Sequence, residues 1–107
     1  MSKVTRCMIV DDEPLAIQLL TAHINQMPEL KLVATAENTI DAIRLLKEHT
    51  IDLLFLDIQM PILTGIELVR TLQNPPGVIF TTAYREFAVE SYELDVVDYL
   101  MKPITFI

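Results

Sequence analysis

Several residue types are scarce in the sequence, and each shortage excludes a class of protein. The single cysteine, Cys7, rules out an internal disulfide, and its place in an apolar run favours a core residue over a reactive thiol. Basic residues number 8 against 15 acidic ones, for a formal net charge of −7. The clustered positive charge that grips nucleic acid is therefore lacking. No apolar run is long enough for a signal peptide or for a membrane span of about 20 residues. A soluble protein of the reducing cytoplasm fits these absences best.

Hydrophobic residues make up 51% of the 107 residues, which is enough for one domain with its own core. Short apolar runs predict five strands, at 4–10, 31–36, 51–56, 78–82 and 96–100. Helices are predicted between them: one from Pro14 to before Pro28, one capped by Asn38, one from Gly65 and a short one at 86–92. The apolar stripe of the first helix comprises Ala16, Leu20, Ile24 and Met27, widened by Leu15 and Leu19.

Strands that alternate with helices predict an α/β fold with a mostly parallel, doubly wound sheet. Five strands favour the flavodoxin-like order 2-1-3-4-5, in which ligands bind beyond the carboxyl ends of the strands, at the switch point between strands 1 and 3. The third strand, Leu53–Leu56, runs directly into Asp57, so this carboxylate should stand on the rim of that crevice. Pro61 follows and disfavours helix at Met60.

Other polar residues follow the neighbouring strands and should face the same crevice. Strand 1 ends in Asp11 and Asp12, strand 4 in Thr81 and Thr82, and strand 5 is followed by Lys102. Carboxylates this close would repel one another and raise at least one pKa unless a cation intervenes, and oxygen ligands suit Mg²⁺. With the positive charge of Lys102 and the hydroxyl of Thr82 opposite, the sequence predicts a site for a phosphoryl group, with Asp57 as its nucleophile.

Each of these residues also has an ordinary interpretation. Asp57 could simply begin a loop, the acidic turn could be a solvated helix start, Lys102 could lie on the surface, and Thr82 could be a plain strand residue. Their joint occurrence at four strand ends favours the functional interpretation.

The sequence closely resembles the receiver domain of bacterial response regulators. The matching pieces are Met8–Pro14, Leu56–Pro61 with Gly65, Thr82-Ala83 and Tyr99–Pro103. The resemblance implies that a partner sensor histidine kinase phosphorylates Asp57. It implies Mg²⁺ held by Asp12, Asp57 and the Gln59 carbonyl, with Asp11 acting through water. It further implies that Lys102 and Thr82 contact the phosphoryl group, that Tyr99 swings inward as the threonine moves, and that the Lys102–Pro103 peptide is cis.

Phe80–Tyr84, Phe87-Ala88 and Asp98–Leu100 look like the LytTR-type subgroup of these regulators. Members of the subgroup act in two-component transcription regulation and carry a DNA-binding domain after the receiver. Residues 1–107 are thus expected to form a receiver domain only, with DNA binding confined to a longer parent chain. A receiver normally continues into a fifth helix, so the stop at Ile107 predicts a truncated domain, an uncovered sheet face and a homodimer.

Three other classes of protein share some of these features. An aspartyl-phosphate hydrolase of the haloacid dehalogenase type resembles Asp-x-Asp at this strand end, but Gln59 leaves no acid to protonate a leaving group. A flavodoxin would need a phosphate loop after strand 1, where Asp11-Asp12-Glu13 would repel the phosphate. An interaction module with a vestigial site stays open. The expectation is a signalling domain that assists its own phosphorylation and dephosphorylation, and is not an enzyme in the usual sense.

Overall fold

Within the part of the chain that the structure describes, five parallel strands form one sheet, whose strand order is 2-1-3-4-5 as the alternation of elements predicts. A computed structural model describes residues 4–60, 63–72, 74–83 and 98–102 of the chain. The strands are β1 (Thr5–Val10), β2 (Leu30–Ala36), β3 (Leu53–Asp57), β4 (Gly77–Thr82) and β5 (Asp98–Met101). β3 lies between β1 and β4 and is hydrogen-bonded to both.

Local sequence signals account for the starts of the three described helices, α1 (Pro14–Asn25), α2 (Thr39–Glu48) and α3 (Gly65–Thr71). Proline occupies the first turn of α1, where its fixed φ suits a helix and its missing N–H is not needed. Asn38 caps α2 as predicted, because its Oδ1 accepts the Asp41 N–H at 2.8 Å. α3 begins at Gly65 behind a capping box that Thr64 and Glu67 form.

The sheet separates two apolar cores, so the fold is doubly wound. On one face, Ala42 of α2 and Ile66, Leu68 and Val69 of α3 pack with the inward side chains of the central strands. On the other face, Leu20 and Ile24 of α1 pack on Cys7, Ile9 and Phe55. Together the two cores fix the strands whose carboxyl ends carry the polar residues.

The structure corrects several expected boundaries and burials. β3 starts at Leu53 rather than Ile51, and the Asp52 side chain just before it accepts the backbone N–H of Arg6 at 2.9 Å. α1 ends at Asn25, and Met27, which was expected to belong to its stripe, is 45% exposed. Leu15 and Leu19 do not widen the buried stripe, since they are 66% and 38% exposed.

Some sequence-based predictions lie outside the described residues. They are the short helix at 86–92, the cis peptide before Pro103 and the role of Pro61. Among the residues that the structure describes, no helix is long and apolar enough to cross a membrane.

Candidate functional site at the carboxyl edge of the sheet

The strand register brings the predicted polar residues to one edge of the sheet. Val10 of β1 pairs with Leu56 of β3, so the next residues along the two strands, Asp11 and Asp57, are neighbours. Asp57 in turn pairs with Thr81 of β4. The carbonyl of Thr82, at the end of β4, accepts the backbone N–H of Lys102 at 2.7 Å. Four strand ends thus meet as predicted.

Asp57 is the last residue of β3 and is held rigidly. The residue is only 3% exposed, and its Oδ1 accepts the backbone N–H of Gln59 at 3.2 Å. Behind it, the N–H of Gly65 donates to the carbonyl of Ile58 at 2.8 Å, which draws the start of α3 against the end of β3. Any Cβ on Gly65 would overlap the carbonyl oxygen of Asp57. Only glycine allows this close approach, so Gly65 helps to fix where Asp57 stands.

Four carboxylates surround the crevice. Asp11, Asp12, Glu13 and Asp57 each offer an oxygen within 4.8 Å of the others. Asp11 is fully buried, whereas Asp12 and Glu13 are exposed. The Oδ1 of Asp11 accepts the backbone N–H of Glu13 at 2.9 Å. Its Oδ2 receives no well-aligned hydrogen bond although it is buried, so this oxygen retains capacity for a further donor.

Lys102 supplies the positive charge. Its Nζ lies 2.7 Å from Oε1 of Glu13, 3.0 Å from Oδ2 of Asp11 and 3.5 Å from Oδ2 of Asp57. The lysine side chain is 14% exposed, while that of Glu13 is 63% exposed. Lys102 therefore closes the inner side of the site, and Glu13 reaches it from the solvent.

The environment of the crevice shifts the pKa values of Asp57 and Lys102. Burial, followed by the neighbouring charge of Asp11, raises the pKa of Asp57 to about 7, although Lys102 and the Gln59 N–H act in the opposite direction. Burial alone would lower the pKa of Lys102, but the close contacts with Glu13 and Asp11 and the charge of Asp57 outweigh it and raise that pKa. Lys102 therefore does not fully offset the cost of a negative charge on Asp57, and a further cation would be stabilised beside this carboxylate.

The oxygen donors fit a hard divalent cation. Mg²⁺ is bound through one or two carboxylates and keeps several waters. Asp12 is exposed beside the buried pair and is free of the Lys102 contacts that engage Asp11 and Glu13. The buried Oδ2 of Asp11 suits a hydrogen bond from a metal-bound water. The residues present therefore fit a Mg²⁺ ion near Asp12 and Asp57.

The remaining predicted residues lie close by. Thr82 is fully buried at the end of β4, and Gln59 is exposed two residues beyond Asp57. The backbone of Tyr99 belongs to β5 and pairs with Phe80. Two contacts of the site were not predicted from the sequence. They are the hydrogen bond that Lys102 donates to Glu13 and the packing of Gly65 on Asp57. The acidic turn was an available signal for Glu13, but it does not reveal which cation that side chain meets.

A parallel doubly wound sheet with an acidic cluster, a strand-end aspartate and a lysine across one crevice defines a class of signalling domain. The chain belongs to the family of response regulator receiver domains, whose family model matches residues 7–106. It is thus a module of two-component signalling.

Individual relatives agree with this assignment. The chain is 42% identical over 113 residues to an uncharacterized response regulatory protein of Vibrio cholerae, covering 98% of this chain and 42% of the relative. It is 40% identical to the sensory transduction protein LytR of Staphylococcus haemolyticus, covering 92% and 40%. The fold matches the crystal structure of the response regulatory domain of mrkE from Klebsiella pneumoniae with a TM-score of 0.84 and 35% identity, covering 94% and 85%. The chain spans about two fifths of the length of these curated relatives.

Proposed function

We propose that this domain receives a phosphoryl group on Asp57 and thereby switches the output of a longer regulatory protein. One observation carries the proposal: a carboxylate that is almost fully buried ends the central strand, 3.5 Å from a lysine ammonium and beside three further carboxylates. Such a group is rigid, poorly solvated and flanked by the charges that phosphoryl transfer requires.

The chemistry is a displacement at phosphorus. An oxygen of the Asp57 carboxylate attacks the phosphorus of the donor, an O–P bond forms, and the bond to the donor's leaving group breaks. The leaving group departs with the bonding electrons: a histidine nitrogen for a kinase, acetate for acetyl phosphate. Lys102 then neutralises charge on the phosphoryl oxygens, and the Thr82 hydroxyl is assigned a hydrogen bond to one of them. In this sense the domain assists its own phosphorylation and dephosphorylation.

Mg²⁺ is the cofactor of this proposal. Asp12, Asp57 and the backbone carbonyl of Gln59 would hold it, and Asp11 would act through a bound water. When bound, the ion neutralises the excess carboxylate charge and the charge that develops on the phosphoryl oxygens. The support is the oxygen-only donor set and the exposed position of Asp12 next to the buried pair.

The partners follow from the family and the relatives. The phosphodonor is a sensor histidine kinase, and the setting is the cytoplasm. The similarity to LytR supports a LytTR-type DNA-binding domain as the output in the parent protein. A homodimer is proposed as the associated state.

Two other functions are compared with this one. A phosphohydrolase of the haloacid dehalogenase type would carry its general acid two residues after Asp57, but position 59 is a glutamine, whose backbone N–H donates to Asp57. A pure interaction module would use the same fold without chemistry at Asp57.

Intact-mass measurement after incubation with acetyl phosphate and Mg²⁺ tests the proposal. The wild-type mass should rise by one phosphoryl group, Asp57→Asn should show no gain, and the exposed control Glu37→Gln should match wild type. A gain that persists in Asp57→Asn moves the acceptor elsewhere. No gain in any form supports the interaction module instead.

A further inference from the structure

Glu13 makes the shortest of the three carboxylate contacts of the Lys102 ammonium group, although it is neither buried nor among the predicted site residues. Its Oε1 lies 2.7 Å from Lys102 Nζ, whereas the Oδ2 of Asp57 is 3.5 Å from the same atom. The backbone of Glu13 is fixed as well, because its N–H donates to Oδ1 of Asp11 at 2.9 Å. The ammonium group thus lies nearer to the turn after β1 than to the end of β3.

The ammonium group of a lysine has three hydrogens to donate. In this site three carboxylates surround it: Glu13, Asp11 and Asp57. A phosphoryl oxygen on Asp57 would compete with these carboxylates for the ammonium group. The bonds within the buried set are costly to break, whereas Glu13 is 63% exposed and can be resolvated readily. Of the two closer carboxylates, Glu13 is therefore the one that Lys102 can leave at the lower cost as it moves towards Asp57.

We propose that Glu13 is a positioning residue that holds Lys102 away from Asp57 in the unphosphorylated domain and so slows phosphoryl transfer to Asp57. This inference rests on the proposed function of Asp57 as the acceptor. Lys102 touches the reacting phosphoryl group, and Glu13 acts through Lys102.

The size of the effect follows from the exposure of the pair. An ion pair with one solvent-exposed partner is worth roughly 0.2–1 kcal/mol. If the Glu13–Lys102 ion pair must break before Lys102 can stabilise the transition state, then removing the charge of Glu13 accelerates phosphoryl transfer by about 1.5- to fivefold. A purely structural role for Glu13 would lower stability without any acceleration.

The test compares three variants with wild type by the initial rate of phosphorylation from acetyl phosphate with Mg²⁺ present. Glu13→Gln keeps the shape and removes the charge. Glu13→Asp keeps the charge but withdraws it by about 1.5 Å, one carbon–carbon bond, from Lys102. Glu37→Gln makes the same change in net charge at an exposed position near the end of β2, which has no ion pair with Lys102. Thermal melting confirms that each variant is folded.

Both Glu13 variants should react faster than wild type, and Glu37→Gln should react at the wild-type rate. The proposal would be overturned if Glu13→Gln reacted faster but Glu13→Asp did not, or if Glu37→Gln reacted as fast as Glu13→Gln. Either result would mean that negative charge merely repels the anionic donor. Wild-type rates in both Glu13 variants would also overturn it. A wild-type protein that gains no phosphoryl group points to failure of the proposed function itself, which these rates distinguish from failure of the role of Glu13.

Discussion

Gly65 packs directly on the backbone of Asp57, so closely that a methyl group on the glycine would overlap the Asp57 carbonyl oxygen. The contact joins the start of α3 to the end of β3. The loop in between carries Gln59, a proposed metal ligand. A substitution at Gly65 must therefore displace either the helix or the acceptor strand.

The first prediction concerns this contact. Alanine at Gly65 gains about 1 kcal/mol of helix propensity, but an overpacked site typically costs about 1–3 kcal/mol. We expect Gly65→Ala to lower the free energy of unfolding and to slow phosphorylation of Asp57. Denaturant unfolding and the initial rate with acetyl phosphate measure the two effects.

Asn38→Ala is the matched control for Gly65→Ala. It removes the cap of α2, a loss of about 1 kcal/mol, at an exposed position outside the acidic cluster. Its stability should fall while its phosphorylation rate stays at the wild-type value. Equal slowing in both variants would show that instability, rather than displacement of Asp57, limits the rate.

The second prediction is that Asp57→Asn stabilises the fold at neutral and higher pH in Mg²⁺-free buffer. The pKa of Asp57 is raised from 3.8 to about 7 by burial and by Asp11, so the folded state disfavours the charged carboxylate. This penalty is absent below pH 4, where the carboxyl is protonated in both states, and it is complete only above the folded pKa. The gain from asparagine should accordingly grow from about pH 4 to pH 8 and reach at most about 4 kcal/mol. Unfolding curves at both pH values test this, and an equal gain at pH 4 would contradict it.

The third prediction separates the two adjacent aspartates in Mg²⁺ binding. Asp11 already accepts the Glu13 N–H and contacts Lys102, whereas Asp12 is exposed and available as a direct ligand. Asp12→Ala should weaken Mg²⁺ binding more than Asp11→Ala does, with a loss of about tenfold or more. Isothermal titration measures both affinities, with Glu37→Gln as a control for net charge. Equal affinity in Asp12→Ala and wild type would rule out a direct role.

The fourth prediction concerns the charge of Lys102. Its removal leaves Asp11 and Asp57 buried without a cation, and breaking a buried pair typically costs about 3–5 kcal/mol. Because Lys102 is 14% exposed and Asp57, with its raised pKa, can take up a proton, we expect Lys102→Ala to lose about half of that stability. Mg²⁺ should restore more stability in the variant than in wild type, since the ion then replaces the missing charge. Melting with and without Mg²⁺ shows whether it does.

Topology and the strand-end residues were predictable from the sequence because they depend on local patterns. Apolar runs such as Leu53–Leu56 mark buried strands, and the fixed direction of parallel strands then gathers Asp11, Asp57 and Lys102 at one edge. The face that α1 presents to the sheet was less certain. Leucines and isoleucines cover a wide arc of that helix, and only packing decides that Leu20 and Ile24 are buried while Leu15 is exposed.

The contacts of Glu13 and Gly65 were not predictable, for a different reason. Glu13 and Lys102 lie 89 positions apart in the sequence, and Gly65 meets Asp57 across the loop between β3 and α3. Both distances depend on how β5 and α3 pack against the ends of β1 and β3. An acidic residue before a helix is adequately explained by the helix dipole. A glycine at a helix start is likewise explained by the turn that precedes it. Local patterns therefore gave no reason to seek a further partner for either.

The position of the strands in the sheet divides the site into parts of unequal local stability. β3 is hydrogen-bonded on both sides, whereas β5 is a four-residue strand at the sheet edge that pairs with β4. Backbone amides around Asp57 should accordingly exchange with solvent deuterium only through global unfolding, and those near Lys102 through smaller openings. Such openings would let the lysine change position while the aspartate stays fixed. The acceptor Asp57 therefore lies on a more stable inner strand of the sheet, whereas Lys102, which moves in response to it, follows a less stable edge strand.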